Sequence, residues 1–352
     1  MIDSFCRIKE LHAIGIKIHL HCFEYGRQRQ NILNQYCTSV YYYPRATGII
    51  SNFSIIPFIV LSRKNKTLLN RLLADNYPIL FDGLHTTYYI KHPGLKNRIK
   101  LVRAHNIEHK YLTDIMLYEH NVFKKLFFII ESARMKWFEK NLAYADKILA
   151  ISEHDHEYFS EKYNKSVLVR PFHPFNSLRS KEGSGKYLLY HGNLSLSINY
   201  EIVNFLIKNV FSQTNFPVII AGKLSTNKLI STDSKYNNIK IIQNPDEEEM
   251  LDLISGSHIS IPYSYENNGM KLKLLYSLFA GRHCITNLVS DNNSGLNILC
   301  HYADTADEIR KRIDFLINKP LTSDDLALRD SFREKYFNNH QNSETINNIL
   351  FK

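Results

Sequence analysis

Cysteine is scarce in this sequence and poorly placed for cross-linking. The five residues are Cys6, Cys22, Cys37, Cys284 and Cys300. The count is odd and no two have C-x-x-C spacing, which argues against a disulfide framework or a zinc knuckle and fits a reducing compartment. Long apolar runs are also missing. The longest, around 55–61 and 126–130, fall far short of the ~20 residues that span a bilayer. The first residues carry Asp3, Arg7, Lys9 and Glu10 where a secretory leader needs an apolar core. Walker A, G-x-G-x-x-G and G-x-S-x-G patterns are all absent, which argues against ATPases, simple NAD enzymes and elbow-type serine hydrolases. Glycine and proline are few, and 44% of residues are hydrophobic, so disorder is not the default reading.

What is present is a chain long enough for two cores: 352 residues with 44 Lys+Arg against 34 Asp+Glu, a net charge of +10. That balance favours anionic partners, phosphates, nucleic acid or an anionic membrane face, without choosing among them. Short β-rich apolar runs alternate with helical patterns along the whole length. Strands are expected over 16–23, 39–43, 78–82, 99–105, 147–152 and 167–169, then over 187–191, 217–221, 239–243, 258–262, 283–286 and 296–300. The clearest helix is expected over 120–144, with Phe123, Phe127, Ile130, Trp137, Phe138 and Leu142 on one face. Strands alternating with helices mean parallel sheets covered on both sides. The rhythm breaks at 170–186, where Pro171, Pro174, Gly183 and Gly185 mark a linker. The architecture expected is therefore α/β: two doubly wound, Rossmann-like domains facing a cleft, over 1–170 and 187–320. Helices over 321–352 are expected to return to the first domain. Ligands of such sheets sit at the carboxyl ends of strands.

Three strand ends carry candidate chemistry. Residues 103–109, Arg-Ala-His-Asn-Ile-Glu-His, place His105 where a strand meets a loop. It is either a loop histidine bonding backbone or a group facing the cleft, and the spacing of His105 and His109 lacks the order of a zinc helix. At 190–195 a strand passes through Gly192 and Asn193 into a helix starting at about Ser197, so backbone N–H groups can approach a phosphate. At 267–281 a loop with Gly269 opens a helix at about Met270 that Gly281 ends. Lys271 and Lys273 lie in its first turns, where the helix dipole disfavours cations unless an anion is bound. Three other features read as structure. Ser152 with Asp155 is a helix cap beside His154 and His156. His19 and His21 are packing or surface residues. The acids of 246–249 suit a helix first turn.

Together the 103–109 motif, the 145–152 run Ala-Asp-Lys-Ile-Leu-Ala-Ile-Ser, His191-Gly-Asn193 with Asn199, and Gly269-Met-Lys-Leu-Lys-Leu-Leu with Gly281 resemble group 1 glycosyltransferases. More narrowly they resemble a bacterial surface-polysaccharide branch, and the resemblance runs in order over nearly the whole chain. It implies the GT-B architecture, no cofactor or essential metal, retention at the anomeric carbon, and a nucleotide-sugar donor held mainly by the C-terminal domain. His105 matches the histidine near the reacting sugar, and Lys273 the helix-start lysine. Gly192, Asn193, Gly269, Met270 and Lys271 complete the expected donor site, with Glu266 as a candidate sugar contact. Asn268 and Tyr276 stand where the resembling enzymes carry two glutamates, and Asn193 and Asn199 where an Arg and a Lys clamp the diphosphate. The expected acceptor is a glycan or lipid-linked glycan. The expected location is cytoplasmic, with peripheral contact at an anionic inner-membrane surface and no nucleic-acid partner. Two other readings stand beside it: another GT-B enzyme such as a nucleotide-sugar epimerase, and a non-catalytic nucleotide-sugar or glycan binder.

Residues 1–14 read as a helix with Phe5, Ile8 and Leu11 on one face, before any strand. Because the resembling enzymes start with a strand and a Gly-rich loop, the sequence is expected to start late, to lack an inner strand of its first sheet, and to be aggregation-prone or weakly active.

Overall fold

Arg103, a fully buried arginine in the middle of a strand, shows how the first half of the chain is assembled. In the computed structural model, which describes residues 2–26, 28–48, 54–224, 236–291 and 295–351, the chain divides into two compact units. One comprises Met1–Leu112, Phe127–Pro174 and Phe337–Lys352, the other Thr113–Leu126 and Phe175–Tyr336.

The first unit starts with helix α1 (Ile2–Ala13), followed by β1 (His19–Phe23), β2 (Ser39–Tyr43), α2 (Phe58–Leu61) and α3 (Lys66–Leu73). Strands β1 and β2 form a two-stranded parallel sheet in which His19 is paired with Ser39. His19 Nδ1 lies 2.7 Å from the Ser39 hydroxyl and His21 Nδ1 2.7 Å from that of Tyr43, so both histidines tie the two strands together. Four further strands, β3 (Ile79–Asp82), β4 (Lys100–Ala104), β5 (Lys147–Ala150) and β6 (Ser166–Leu168), lie side by side and parallel. The sequence gives β4 no polar face: Leu101, Val102, Arg103 and Ala104 are all buried, as a strand covered on both sides requires. Alternation sends Val102 and Ala104 into the larger core, with Phe81, Ile148 and Phe159. Leu101 faces the other way, into a core built with Leu149, Phe172 and Leu11 of α1 and with Ile346 and Leu350 of the last helix.

Arg103 shares that second face. A buried guanidinium needs partners, and it finds Asp3 at 2.8 Å together with the carbonyls of Val169 and Arg170. Asp3 also accepts a hydrogen bond from the Phe172 N–H at 2.8 Å. Burial alone would raise the Asp3 carboxyl, but Arg103 and Arg7 pull it down to about 2.

Helices α4 (Glu108–Leu117) and α5 (Val122–Phe138) follow β4, and the division between the units falls within each of them. A 3₁₀ stretch, Glu139–Tyr144, succeeds α5, so the helix expected over 120–144 ends one turn and a half early. Its expected apolar face divides as well: Phe138 and Leu142 are buried, whereas Phe123, Phe127, Ile130 and Trp137 are exposed. After β5, helix α6 (Glu153–Tyr163) is capped by Ser152, whose hydroxyl accepts from the Asp155 N–H.

The second unit holds a six-stranded sheet and its helices. In chain order these are β7 (Leu188–Asn193), α7 (Ser197–Asn209), β8 (Val218–Lys223), β9 (Ile239–Gln243), α8 (Glu247–Gly256), β10 (Ile259–Ser260), α9 (Leu272–Ala280), β11 (His283–Thr286), α10 (Leu288–Asp291), β12 (His301–Tyr302), α11 (Ala306–Leu316) and α12 (Ser323–Tyr336). The strand order β12-β11-β10-β7-β8-β9 starts in the middle at β7 and reverses there, the doubly wound pattern. Glu247, Glu248 and Glu249 lie in the first turn of α8, where acids were expected, and Asp246 with Glu249 forms a capping box there. The strand expected over 296–300 is displaced: that stretch contains the 3₁₀ turn Asn297–Leu299, and the strand is His301–Tyr302. The β7–β8 contact leaves no room at its end, because a Cβ on Gly222 would lie 1.8 Å from the Gly192 carbonyl oxygen.

The last helix, α13 (Asn339–Phe351), belongs to the first unit, while α12 belongs to the second.

Candidate functional site

Each unit gathers polar groups at the carboxyl ends of its strands. In the first unit, β3 ends on Asp82, and His105 follows the last residue of its neighbour β4. Pairing of these strands sets Asp82 opposite Arg103, so the side chain two residues further on reaches the same strand end. His105 Nε2 lies 2.7 Å from Asp82 Oδ1. The same carboxylate takes Arg7 at 2.8 Å and the Ser4 hydroxyl at 2.7 Å, both from α1. Burial would raise the Asp82 carboxyl, but the Arg7 guanidinium and the bond from His105 hold it well below the usual range. An ionised Asp82 fixes the orientation of the imidazole, which donates its Nε2–H to the carboxylate.

Two more titratable groups share this strand end. Burial pushes the Glu108 carboxyl up to about 7, against the pull of His105 and Arg63. His85 Nδ1 is 4.0 Å from Glu108 Oε1, and burial with the nearby Arg63 drives that imidazole down to about 3, so it is neutral. Two carboxyls pushed in opposite directions at one strand end are the arrangement that separates an acid from a base near neutral pH. His109 has turned elsewhere, with Nδ1 3.1 Å from Glu139.

In the second unit, Gly192 and Asn193 end β7, while Gly269, Met270 and Lys271 lead into α9, which starts at Leu272 rather than Met270. Gly269 has φ +59°, a left-handed turn that favours glycine. The premise that lysines here lack a structural reason does not hold. Lys271 Nζ sits 2.8 Å from Glu266 and 2.7 Å from the Asn268 carbonyl oxygen. Lys273 Nζ donates to the Tyr263 carbonyl and stands 5.2 Å over the Tyr190 ring. Burial, helped by Lys271, brings the Lys273 ammonium down to about 7. The Tyr190 hydroxyl bonds Asn199 at 3.4 Å, and the Asn199 amide bonds the Asn193 carbonyl at 3.0 Å. One chain of contacts thus joins the start of α9 to the loop after β7. His191, which shares a 3.3 Å contact with Ser277, is driven down to about 3 by burial and by Lys273.

The departure at Asn268 has a local reason. Its amide donates to Asp114, a carboxyl already raised by burial and by Glu266. A glutamate at 268 would set a third acid beside these two. Asn268 is itself buried, and its Oδ1 has no hydrogen-bond partner among the described residues. Among the described residues no group of three or more His, Cys, Asp or Glu side chains is arranged to hold a metal ion. Sequence reading missed Asp82, Arg7 and His85, which lie 20 or more positions from His105 and show no local pattern. Glu108, three residues from it, was visible.

No family model matches the chain. A relative from Klebsiella pneumoniae, a 44.6 kDa protein in the cps region described as uncharacterized, is 24% identical over 313 residues, covering 84% of this chain and 80% of the relative. HepE from Anabaena, solved in complex with UDP and glucose, superposes with a TM-score of 0.65 at 10% identity, covering 99% of this chain and 95% of its own. TarM gives a TM-score of 0.60 at 13% identity over 84% of this chain, which spans 58% of the TarM chain. The fold is that of the GT-B glycosyltransferases, as the sequence led us to expect.

Proposed function

We propose that the chain is a glycosyltransferase that moves a sugar from a nucleotide-sugar donor to a glycan or lipid-linked glycan acceptor in bacterial surface-polysaccharide synthesis. It works in the cytoplasm at an anionic membrane surface, without a metal and with retention at the anomeric carbon. The observation that carries the reading is the match of nearly the full chain to a fold seen holding UDP and glucose in HepE. The cps-region relative supports the polysaccharide setting.

Glycosyl transfer builds negative charge on the leaving diphosphate, and prearranged cations and N–H groups stabilise it. Lys273 suits this task because its ammonium lies close to neutrality, so an arriving diphosphate draws it into the charged form. Gly192, Asn193, Gly269 and Met270 offer backbone beside it. Lys271 and Glu266 act as a bonded pair, the carboxylate positioned to meet sugar hydroxyls through its remaining lone pairs. In the first unit Asp82 holds His105 in place to meet a sugar hydroxyl. Glu108, its carboxyl raised to about 7, takes the proton that the acceptor hydroxyl loses as its oxygen bonds the anomeric carbon and the diphosphate departs.

The test is a thermal-shift series of nucleoside diphosphates on the full chain, followed by mass spectrometry of donor and acceptor mixtures. One nucleoside diphosphate is expected to raise the melting temperature, and its sugar derivative to yield a lengthened acceptor. A sugar nucleotide epimerised without acceptor marks the epimerase reading instead, and binding with no chemistry marks a non-catalytic binder.

A further inference from the structure

Helix α5 is amphipathic, but its apolar side faces away from the protein. Glu131, Met135 and Phe138 point inward, and Glu131 is tied down by the Phe58 N–H and Arg134, each at 2.8 Å. On the opposite side stand Val122, Phe123, Leu126, Ile129, Ile130 and Trp137, at i, i+1, i+4, i+7, i+8 and i+15, a single stripe of a 3.6-residue helix. All are exposed: Phe123 to 85%, Val122 to 75%, Leu126 to 54% and Trp137, the only tryptophan, to 48%. Burying none of a row of large apolar side chains is a cost that a protein free in water has no reason to bear.

Charge identifies the cover. Lys125 borders the stripe near one end and Lys136 near the other, and Lys140 lies just beyond the helix, all exposed. The nearby acids Glu131 and Glu139 are buried, so no exposed carboxylate of α5 faces outward. A second copy laid against this face in either direction sets lysines against lysines. An anionic lipid leaflet takes the apolar row into its acyl boundary and the ammonium groups among its phosphates, with tryptophan at the interface. At 17 residues, about 25 Å, the helix lies in such a surface and does not span it. In the described residues no helix is long and apolar enough to cross.

We propose that the outward face of α5 seats the protein on an anionic lipid surface. This deepens the membrane contact in the function proposed above and rests on that part of it alone. The experiment uses the full chain with vesicles of phosphatidylcholine, with and without phosphatidylglycerol. The single tryptophan is the probe. Anionic vesicles are expected to shift Trp137 emission to the blue, brominated lipid to quench it, and the protein to float with the vesicles. Removal of two charges, Lys125→Gln with Lys136→Gln, is expected to weaken binding by roughly 30-fold, at about one decade and a half for two lysines near the surface. Ile130→Ser with Phe123→Ser is expected to abolish the emission shift. Both variants alter exposed side chains, and unchanged melting curves confirm that they fold. Trp137 emission that ignores anionic vesicles overturns the proposal. So does a dimer in sedimentation velocity that Ile130→Ser dissociates, since a second copy then covers the face. Sugar transfer to a water-soluble acceptor without vesicle binding would sink this proposal alone, and vesicle binding without transfer would sink only the transferase reading.

Discussion

Asp82 accepts from His105 Nε2 at 2.7 Å while Arg7, from the first helix, holds the same carboxylate at 2.8 Å. The imidazole is therefore positioned by a carboxylate that is itself kept ionised from behind, with 23 and 75 residues of chain separating the partners of these two contacts. His105→Ala is expected to lower kcat and kcat/KM together by roughly 10²–10⁴, leaving donor affinity near that of the parent. Asp82→Asn keeps a hydrogen bond but loses the charge, and is expected to cost less. Wild-type turnover of His105→Ala with the true acceptor removes His105 from the chemistry.

Glu108 sets a limb in the pH profile. Its carboxyl is raised by burial to about 7, so it loses its proton as pH rises through neutrality. A turnover limb near pH 7 is expected, and Glu108→Gln should erase it. The stability sign follows from the same shift. Burying the neutral acid is favoured up to about pH 4.5, and the advantage declines until the full cost of the buried carboxylate is reached above about pH 7. Denaturant titrations should find Glu108→Gln more stable than the parent above pH 7, with the difference shrinking in acid.

Lys273 runs the opposite way. Its ammonium is lowered to about 7, so below that pH the folded protein bears the whole cost of a partly buried charge. The cost fades as pH rises towards the ordinary lysine value. Lys273→Met is expected to stabilise the fold most below pH 7. Nucleoside diphosphate binding should take up a proton near pH 8 and weaken by up to about tenfold per pH unit above pH 7. Calorimetry in two buffers of different ionisation heat reads that proton directly. Equal affinity at pH 6 and pH 9 would exclude Lys273 from the diphosphate contact.

Asp3 anchors the first unit. Its carboxylate serves Arg103, Arg7 and the Phe172 N–H, and Arg103 is fully buried. Asp3→Asn leaves that guanidinium without a counter-charge and is expected to cost about 3 kcal/mol or more, measured by urea unfolding. Because the Asp3 carboxyl sits at about 2, its contribution is whole above its ordinary pKa near 4 and disappears as pH falls through about 2. An unchanged urea midpoint would show that the pair adds nothing to stability.

Local pattern carried much of the fold. Strands β2, β9 and β11 have the bounds expected from β-branched and aromatic runs between turn residues, and Ser152 and Gly281 cap the helices their spacing predicts. What a single sequence hides is direction and distance. The α5 stripe identifies a helix face, yet the same pattern serves a face turned inward or outward, and here Glu131 and Arg134 claim the inner side. His105 was legible because it follows an apolar strand run. Its partner Asp82 ends a different strand, and the Arg103–Asp3 pair joins residues 100 positions apart. Lys271 looked like an unpartnered cation because Glu266 reaches it from across a loop rather than along a helix face.

Helix α13 meets α1 in one core, where Cys6 and Leu11 pack with Ile346 and Leu350, and this constrains the order in which the molecule can be made. Residues 175–336 contain most of the second unit, and every segment of that unit has left the ribosome once Tyr336 is clear. The first unit is synthesised earlier but waits for α13. Until then Leu101, Leu149 and Phe172 lack part of their cover, and the half translated first is the half completed last. During synthesis the vulnerable surface is therefore that face of the β3–β6 sheet, which is where a nascent-chain chaperone would be most needed.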